Sequence, residues 1–149
     1  MTIALAMIAA LIIWWASTVL IIYLDGLKPE TFKYSFAGAS LVMAASLYGL
    51  WATAGDVSLG GAYLAFTFGL LAWGWQEVSF YMGIVTGPRK TPCPPDCKGW
   101  RHFGHAIQTS LYHELAIIAS AVVVAALTWG QPNQIGTWTF MILWWMHQS

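Results

Sequence analysis

The sequence predicts an all-α, polytopic transmembrane helical bundle, a single domain over residues 1–149 with four full spans and a fifth begun or truncated. Three observations predict it. Of the 149 residues 58% are hydrophobic and only 8% charged, against about 25% charged in an average soluble domain. Four apolar runs reach the roughly 20 residues that a helical span requires. Between them lie short breaks rich in Gly, Pro and Asp, which also hold most of the basic residues. The formal charge is zero, and no Lys/Arg cluster exceeds a pair, so the electrostatic footprint of a nucleic-acid binder is missing.

The first run, about residues 3–24, starts directly after Met1-Thr2. With no basic leader and no small-residue cleavage site it reads as a retained span. The second, about 34–54, offers Ala45 and Gly49 as small residues for close helix contact. In the third, about 61–86, Gly61, Ala65 and Gly69 recur every fourth residue, with Trp73 and Glu77 continuing the row. The fourth, about 104–128, carries Ala116 and Ser120 as its small residues. The last, 135–149, has 15 residues, about 22 Å of helix against a hydrocarbon core of about 30 Å. The expectation is a fragment of a longer protein, or a half-inserted helix completed by neighbours.

Orientation follows from the basic residues, which concentrate in cytoplasmic loops. Lys28 and Lys33 lie in the first loop, and Arg89, Lys90, Lys98 and Arg101 in the third; the second and fourth hold none. This predicts a periplasmic N-terminus and a cytoplasmic loop over Cys93 to Arg101. Glu77 lies nine positions before Thr86, and His113 nine positions after Gly104. Counted from those ends, both sit about 13 Å below the cytoplasmic surface. Titratable groups at such depth face the bundle interior, pair with each other or serve a site. The expected site is a polar cluster of Glu77, His113 and Glu114, with Tyr112 beside it, between the third and fourth helices.

Several chemistries are open to these residues. As interhelical glue, a carboxylate on one helix bonds an imidazole on the next. As a pigment site, His105 or His113 ligates the magnesium of a bacteriochlorophyll, with Trp14, Trp15, Trp73 and Trp75 walling the slot. As a membrane-embedded metal-dependent oxidase or hydroxylase, the chain would use His102, His105, His113 and Glu114, a thin ligand set for that chemistry. Cys93, Cys97, His102 and His105 form a C-x3-C-x4-H-x2-H string that a zinc knuckle could use. Against that, the spacing matches no strong zinc pattern and a reducing compartment favours ordinary free thiols. The prolines around the cysteines predict a stiff extended loop.

The strings Leu24-Asp25-Gly26-Leu27, Gly61-Ala62-Tyr63-Leu64-Ala65-Phe66, Trp73-Gly74-Trp75-Gln76-Glu77, Thr86-Gly87-Pro88-Arg89, Pro92-Cys93-Pro94, Tyr112-His113-Glu114 and Gly130-Gln131-Pro132-Asn133-Gln134-Ile135-Gly136-Thr137-Trp138 together resemble the photosynthetic complex assembly proteins of the PuhE type. The resemblance covers essentially the whole chain. It implies a non-catalytic assembly or accessory factor in the inner, intracytoplasmic membrane of a phototrophic bacterium. Its implied partners are reaction-centre or light-harvesting subunits, and its implied ligand a transiently held bacteriochlorophyll. The matching positions are the Glu77 and the Tyr112-His113-Glu114 motifs; Cys97 departs from the pattern, and the family continues with further spans. A permanent small subunit of a reaction-centre antenna complex is the neighbouring alternative.

Overall fold

The computed structural model of the chain describes residues 2–148. Five helices follow one another: α1 (Thr2–Asp25), α2 (Phe32–Thr53, entered through a 3-10 turn at Pro29–Thr31), α3 (Leu59–Tyr81), α4 (Trp100–Leu127) and α5 (Ile135–Gln148). No strand occurs among the described residues.

Among the described residues three helical stretches, not four, are long and apolar enough to cross a bilayer: Ile3–Asp25, Pro29–Thr53 and Trp100–Leu127. The expected third span is the one that drops out. Its 23 residues suffice in length, but Gly60, Gly61, Gly69, Gly74, Trp73, Trp75, Gln76 and Glu77 dilute its apolarity. The packing gives the reason, because α3 touches each of the other four helices. A helix whose neighbours are protein needs small and polar residues for backbone approach and hydrogen bonding, not a lipid-facing surface. By contrast, no residue in the most apolar stretch of α1 is buried.

The third helix also ends at Tyr81 instead of near Thr86. Gly83 takes a left-handed φ of 70°, and its N–H donates to the Phe80 carbonyl at 2.9 Å. The N–H groups of Ile84 and Val85 both reach the Ser79 carbonyl, at 3.0 and 2.9 Å, so the last carbonyls are satisfied as the chain turns away. The following segment lies along α4: His113 N–H donates to Thr86 O at 2.9 Å and Arg89 N–H to Gln108 O at 3.1 Å. Thr86 is therefore level with His113, and counting residues back from Thr86 does not measure the depth of Glu77. Glu77 stands about one turn from the end of its helix.

Gly87 makes that approach feasible, since a Cβ there would fall 2.6 Å from the Thr109 carbonyl carbon. Gly87→Ala is expected to lift residues 86–89 off α4 at a cost of about 1–3 kcal/mol. Faster tryptic cleavage after Arg89 and Lys90 in detergent is the measurement; an unchanged rate would refute the seating.

Helices α3 and α5 run parallel, and α4 runs antiparallel to both. The α3–α5 crossing is built on glycine: a Cβ on Gly69 would lie 3.0 Å from Gly136 Cα, and one on Gly136 would lie 2.7 Å from the Ala65 carbonyl oxygen. Beside it the core comprises Leu50, Ala72, Trp73, Ile117, Ala121, Val124 and Phe140, with the Trp73 and Phe140 rings edge to face at 5.5 Å. Side-chain hydrogen bonds join the remaining helices, Gln76 Nε2 to Ser120 Oγ at 2.6 Å and Trp75 Nε1 to Ser40 Oγ at 3.0 Å.

At the opposite end from Glu77, Asn133 gathers two loops. Its Nδ2 faces the carbonyls of Thr53, Asp56 and Gly61 at 3.1, 2.8 and 3.1 Å. Its backbone N–H donates to Ala54 O at 2.9 Å, and its Oδ1 accepts from the N–H of Ile135 at 3.2 Å, capping α5. Nearby, Ser58 caps α3 by accepting from Gly61 N–H at 3.1 Å.

Candidate functional site

The last turns of α3 carry Trp73, Glu77 and Phe80, the end of α5 carries His147, and the middle of α4 carries His113. These side chains form one row. Glu77 Oε1 lies 3.5 Å from His147 Nδ1. The His147 ring packs at a steep angle on His113, centroids 5.2 Å apart, and on Trp73 at 5.6 Å. His113 then lies over Phe80 at 4.4 Å. The imidazole that Glu77 meets is thus His147, and His113 follows on the far side of that ring.

His113 is fully enclosed, and neither ring nitrogen has a hydrogen-bond partner among the described residues. An unpaired buried polar group costs about 1–3 kcal/mol. His113→Leu is therefore expected to leave accumulation and thermal stability in detergent unchanged or improved. A marked loss of folded protein would show that the ring acts as a hydrogen-bonded clasp.

Tyr112 and Glu114 point elsewhere, because successive helical residues turn by about 100°. Tyr112 is exposed, and Glu114 Oε2 accepts from Gln148 Nε2 at 2.8 Å. His105 lies eight residues before His113 on α4, about 12 Å along the axis. There its Nδ1 is 3.0 and 3.2 Å from the sulphurs of Cys93 and Cys97. The free thiols expected for those cysteines are not observed: the turn closed by Cys97 N–H to Pro94 O brings the two sulphurs together as a disulfide. His102, His105, His113 and Glu114 are not brought to one point; among the described residues the grouping dense enough for a metal is Cys93, Cys97 and His102.

A cleft of about 370 Å³ opens beside the row, between α1, α3 and α5. Glu77, Trp73 and His147 form one wall, Trp14 and Ile21 the facing one, and Asp25 and Tyr81 also line it. Its size falls in the usual range for small-molecule sites. A carboxylate on one imidazole nitrogen fixes the ring and raises the basicity of the other nitrogen, the arrangement that prepares a histidine as a metal ligand. Of the tryptophans expected to wall a slot, Trp14 and Trp73 do so here. Trp75 lines a separate cleft of about 580 Å³ between α1, α2 and α3, and Trp15 is exposed.

His147 presents its ring to this cleft. His113, shut between Phe80 and His147, presents no open face for a macrocycle. His147 was legible only as part of an incomplete last run. Its spacing from Phe140, two helical turns on the same face, is the signal that places it inward.

A family model described as a protein of unknown function, DUF3623, matches residues 1–149. The chain belongs to the DUF3623 family. An uncharacterized 30.4 kDa protein in the puhA 5′ region of Rhodobacter capsulatus is 30% identical over 143 residues. That match covers 93% of this DUF3623 chain and 52% of the relative, so the chain spans about half the relative's length. No solved structure matches.

Proposed function

We propose that this DUF3623 chain is a membrane-embedded, non-catalytic assembly or accessory factor for bacterial photosynthetic reaction-centre and light-harvesting complexes. The observation that carries the reading is the relative's place in the puhA 5′ region, in a photosynthesis gene cluster. The family resemblance of the loop and mid-membrane motifs supports the same assignment. The distribution of basic residues supports a periplasmic N-terminus and a cytoplasmic Cys93–Arg101 loop in the intracytoplasmic membrane.

The finer part of the proposal concerns the cleft. A bacteriochlorophyll-class pigment would be held there transiently by the His147 imidazole, with Glu77 fixing that ring and Trp14 and Trp73 lining the cleft. A neutral imidazole is the commonest protein ligand for a metal, and the Trp, Ile and Leu side chains lining the cleft suit a hydrophobic pigment.

The test is purification of the tagged chain from a phototrophic host in mild detergent, with absorption spectroscopy and identification of co-purifying chains. Reaction-centre or light-harvesting subunits and a pigment spectrum are expected. His147→Leu should abolish the spectrum while the protein accumulates normally, and Glu77→Gln should weaken pigment retention about tenfold. A preparation free of photosynthetic subunits overturns the assembly role. Wild-type protein without pigment overturns the cleft assignment.

A further inference from the structure

Outside the helical row, the loop between α3 and α4 collects two sulphurs and two imidazoles. Cys93 and Cys97 sit on either side of Pro94-Pro95-Asp96, in a turn closed by the Cys97 N–H to Pro94 O bond of 3.0 Å. Arg89 Nη2 donates to Pro92 O at 3.2 Å, and Arg89 N–H is tied to α4 through Gln108 O. The loop is thus fastened to α4 just before its first cysteine. Gly99, with φ of 60°, then turns the chain into α4. His102 and His105 lie three positions apart in the opening turns of that helix, on one face.

The donors converge from both sides. One ring nitrogen of His102 and the two sulphurs all lie within 4.8 Å of one another, and His105 Nδ1 approaches the same sulphurs at 3.0 and 3.2 Å. In a tetrahedral zinc centre with two thiolates and two imidazoles, bond lengths of about 2.3 and 2.0–2.1 Å place neighbouring donors about 3.3–3.8 Å apart. The His105-to-sulphur distances fall slightly under that spacing. As a covalent crosslink the cysteine pair closes a loop of sequence separation 4, and the entropy removed by so short a loop is small. As two thiolates with His102 grouped beside them and His105 approaching the same sulphurs, the residues offer four donors.

We propose that Cys93, Cys97, His102 and His105 form a structural binding site for a zinc-class divalent cation when the two cysteines are reduced. Reduction of the Cys93–Cys97 bond by a dithiol yields two thiols. Binding then displaces their two protons to solvent, while both imidazoles enter neutral. Two thiolates neutralise the ion's charge, so the filled site carries no net charge at the mouth of a membrane helix. Arg89 and Arg101 stand close enough to His105 to bear on its charge, and positive neighbours favour thiolate formation. The bound ion would pin the α3–α4 loop to the start of α4, independently of the cleft beside His147.

The whole chain, purified in detergent with a dithiol reductant from zinc-supplemented cells, should retain about one zinc per chain. Cobalt in its place should show the sulphur-to-metal absorption of a thiolate-bound ion. Chelation should speed tryptic cleavage after Lys98 and Arg101 without altering helix content. Cys93→Ser and His105→Ala should each lose the metal at least about tenfold. Where a variant fails to accumulate, cobalt titration of the wild type decides alone. Zinc below about a tenth of an equivalent in reduced wild-type protein overturns the proposal. So does a cobalt spectrum lacking the sulphur band, or metal retained after both cysteines are replaced by serine.

Discussion

Asn133→Asp is expected to lower stability by about 1–3 kcal/mol, since the amide donors are lost while Thr53 O keeps only the bond from Asp56 N–H. Nδ2 alone faces the carbonyls of Thr53, Asp56 and Gly61, and no other side-chain donor reaches them among the described residues. Aspartate keeps the shape and the oxygen that caps Ile135 N–H, but offers no donor and sets a negative charge against three carbonyl dipoles. The substitution therefore separates donation from volume and capping. Thermal unfolding in detergent, followed by intrinsic fluorescence, measures it. Asn133→Ala should fall by less, because it adds no charge and leaves room for water. An unchanged unfolding temperature in Asn133→Asp would mean that the donated bonds are not what holds the loops.

Gly136→Val is expected to be as damaging, for a steric reason. The added Cβ would sit 2.7 Å from the Ala65 carbonyl oxygen and crowd Leu50 as well, and an opposing backbone cannot rotate away as a side chain can. Overpacking a tight core costs about 1–3 kcal/mol. Here the strain falls at the crossing that also aligns Trp73 with Phe140 and Glu77 with His147. The larger expected effect is on geometry: prising α5 from α3 should abolish any property that depends on the Glu77–His147 pair, including the proposed pigment retention. Gly69→Ala probes the same crossing from the other helix, against Gly136 O and Cα at 2.5 and 3.0 Å. Gly38→Ala, where an added Cβ meets nothing within 4 Å, is the control.

Much of this architecture is legible in the sequence. Apolar run lengths predict all five helices, and the glycine–alanine row of α3 predicts close packing, as Gly69 and Ala65 against Gly136 bear out. The end of α3 is not legible from hydropathy, because Met82 to Val85 remain apolar while Gly83 turns the backbone. That hidden turn also disturbs the depth count. Composition does set α3 apart from the three more apolar stretches, but only the fold shows that its polar residues mark protein neighbours. Of the expected cluster, Glu77 and His113 do lie on the same row, with His147 between them; Glu114 and Tyr112 face away, as the helical turn per residue requires. The loop string of Cys93, Cys97, His102 and His105 is visible in sequence, whereas its convergence depends on how Arg89 anchors the preceding segment to α4.

The parallel pairing of α3 with α5 bears on the order of events during synthesis. Phe140 and His147 emerge from the ribosome some seventy residues after the partners they cover, Trp73 and Glu77. Until then the nascent chain holds α3 with an open glycine seam and an unscreened carboxylate, the condition least suited to lipid. The helix with the most protein neighbours is thus the one most dependent on them during insertion, and α5 completes its shelter.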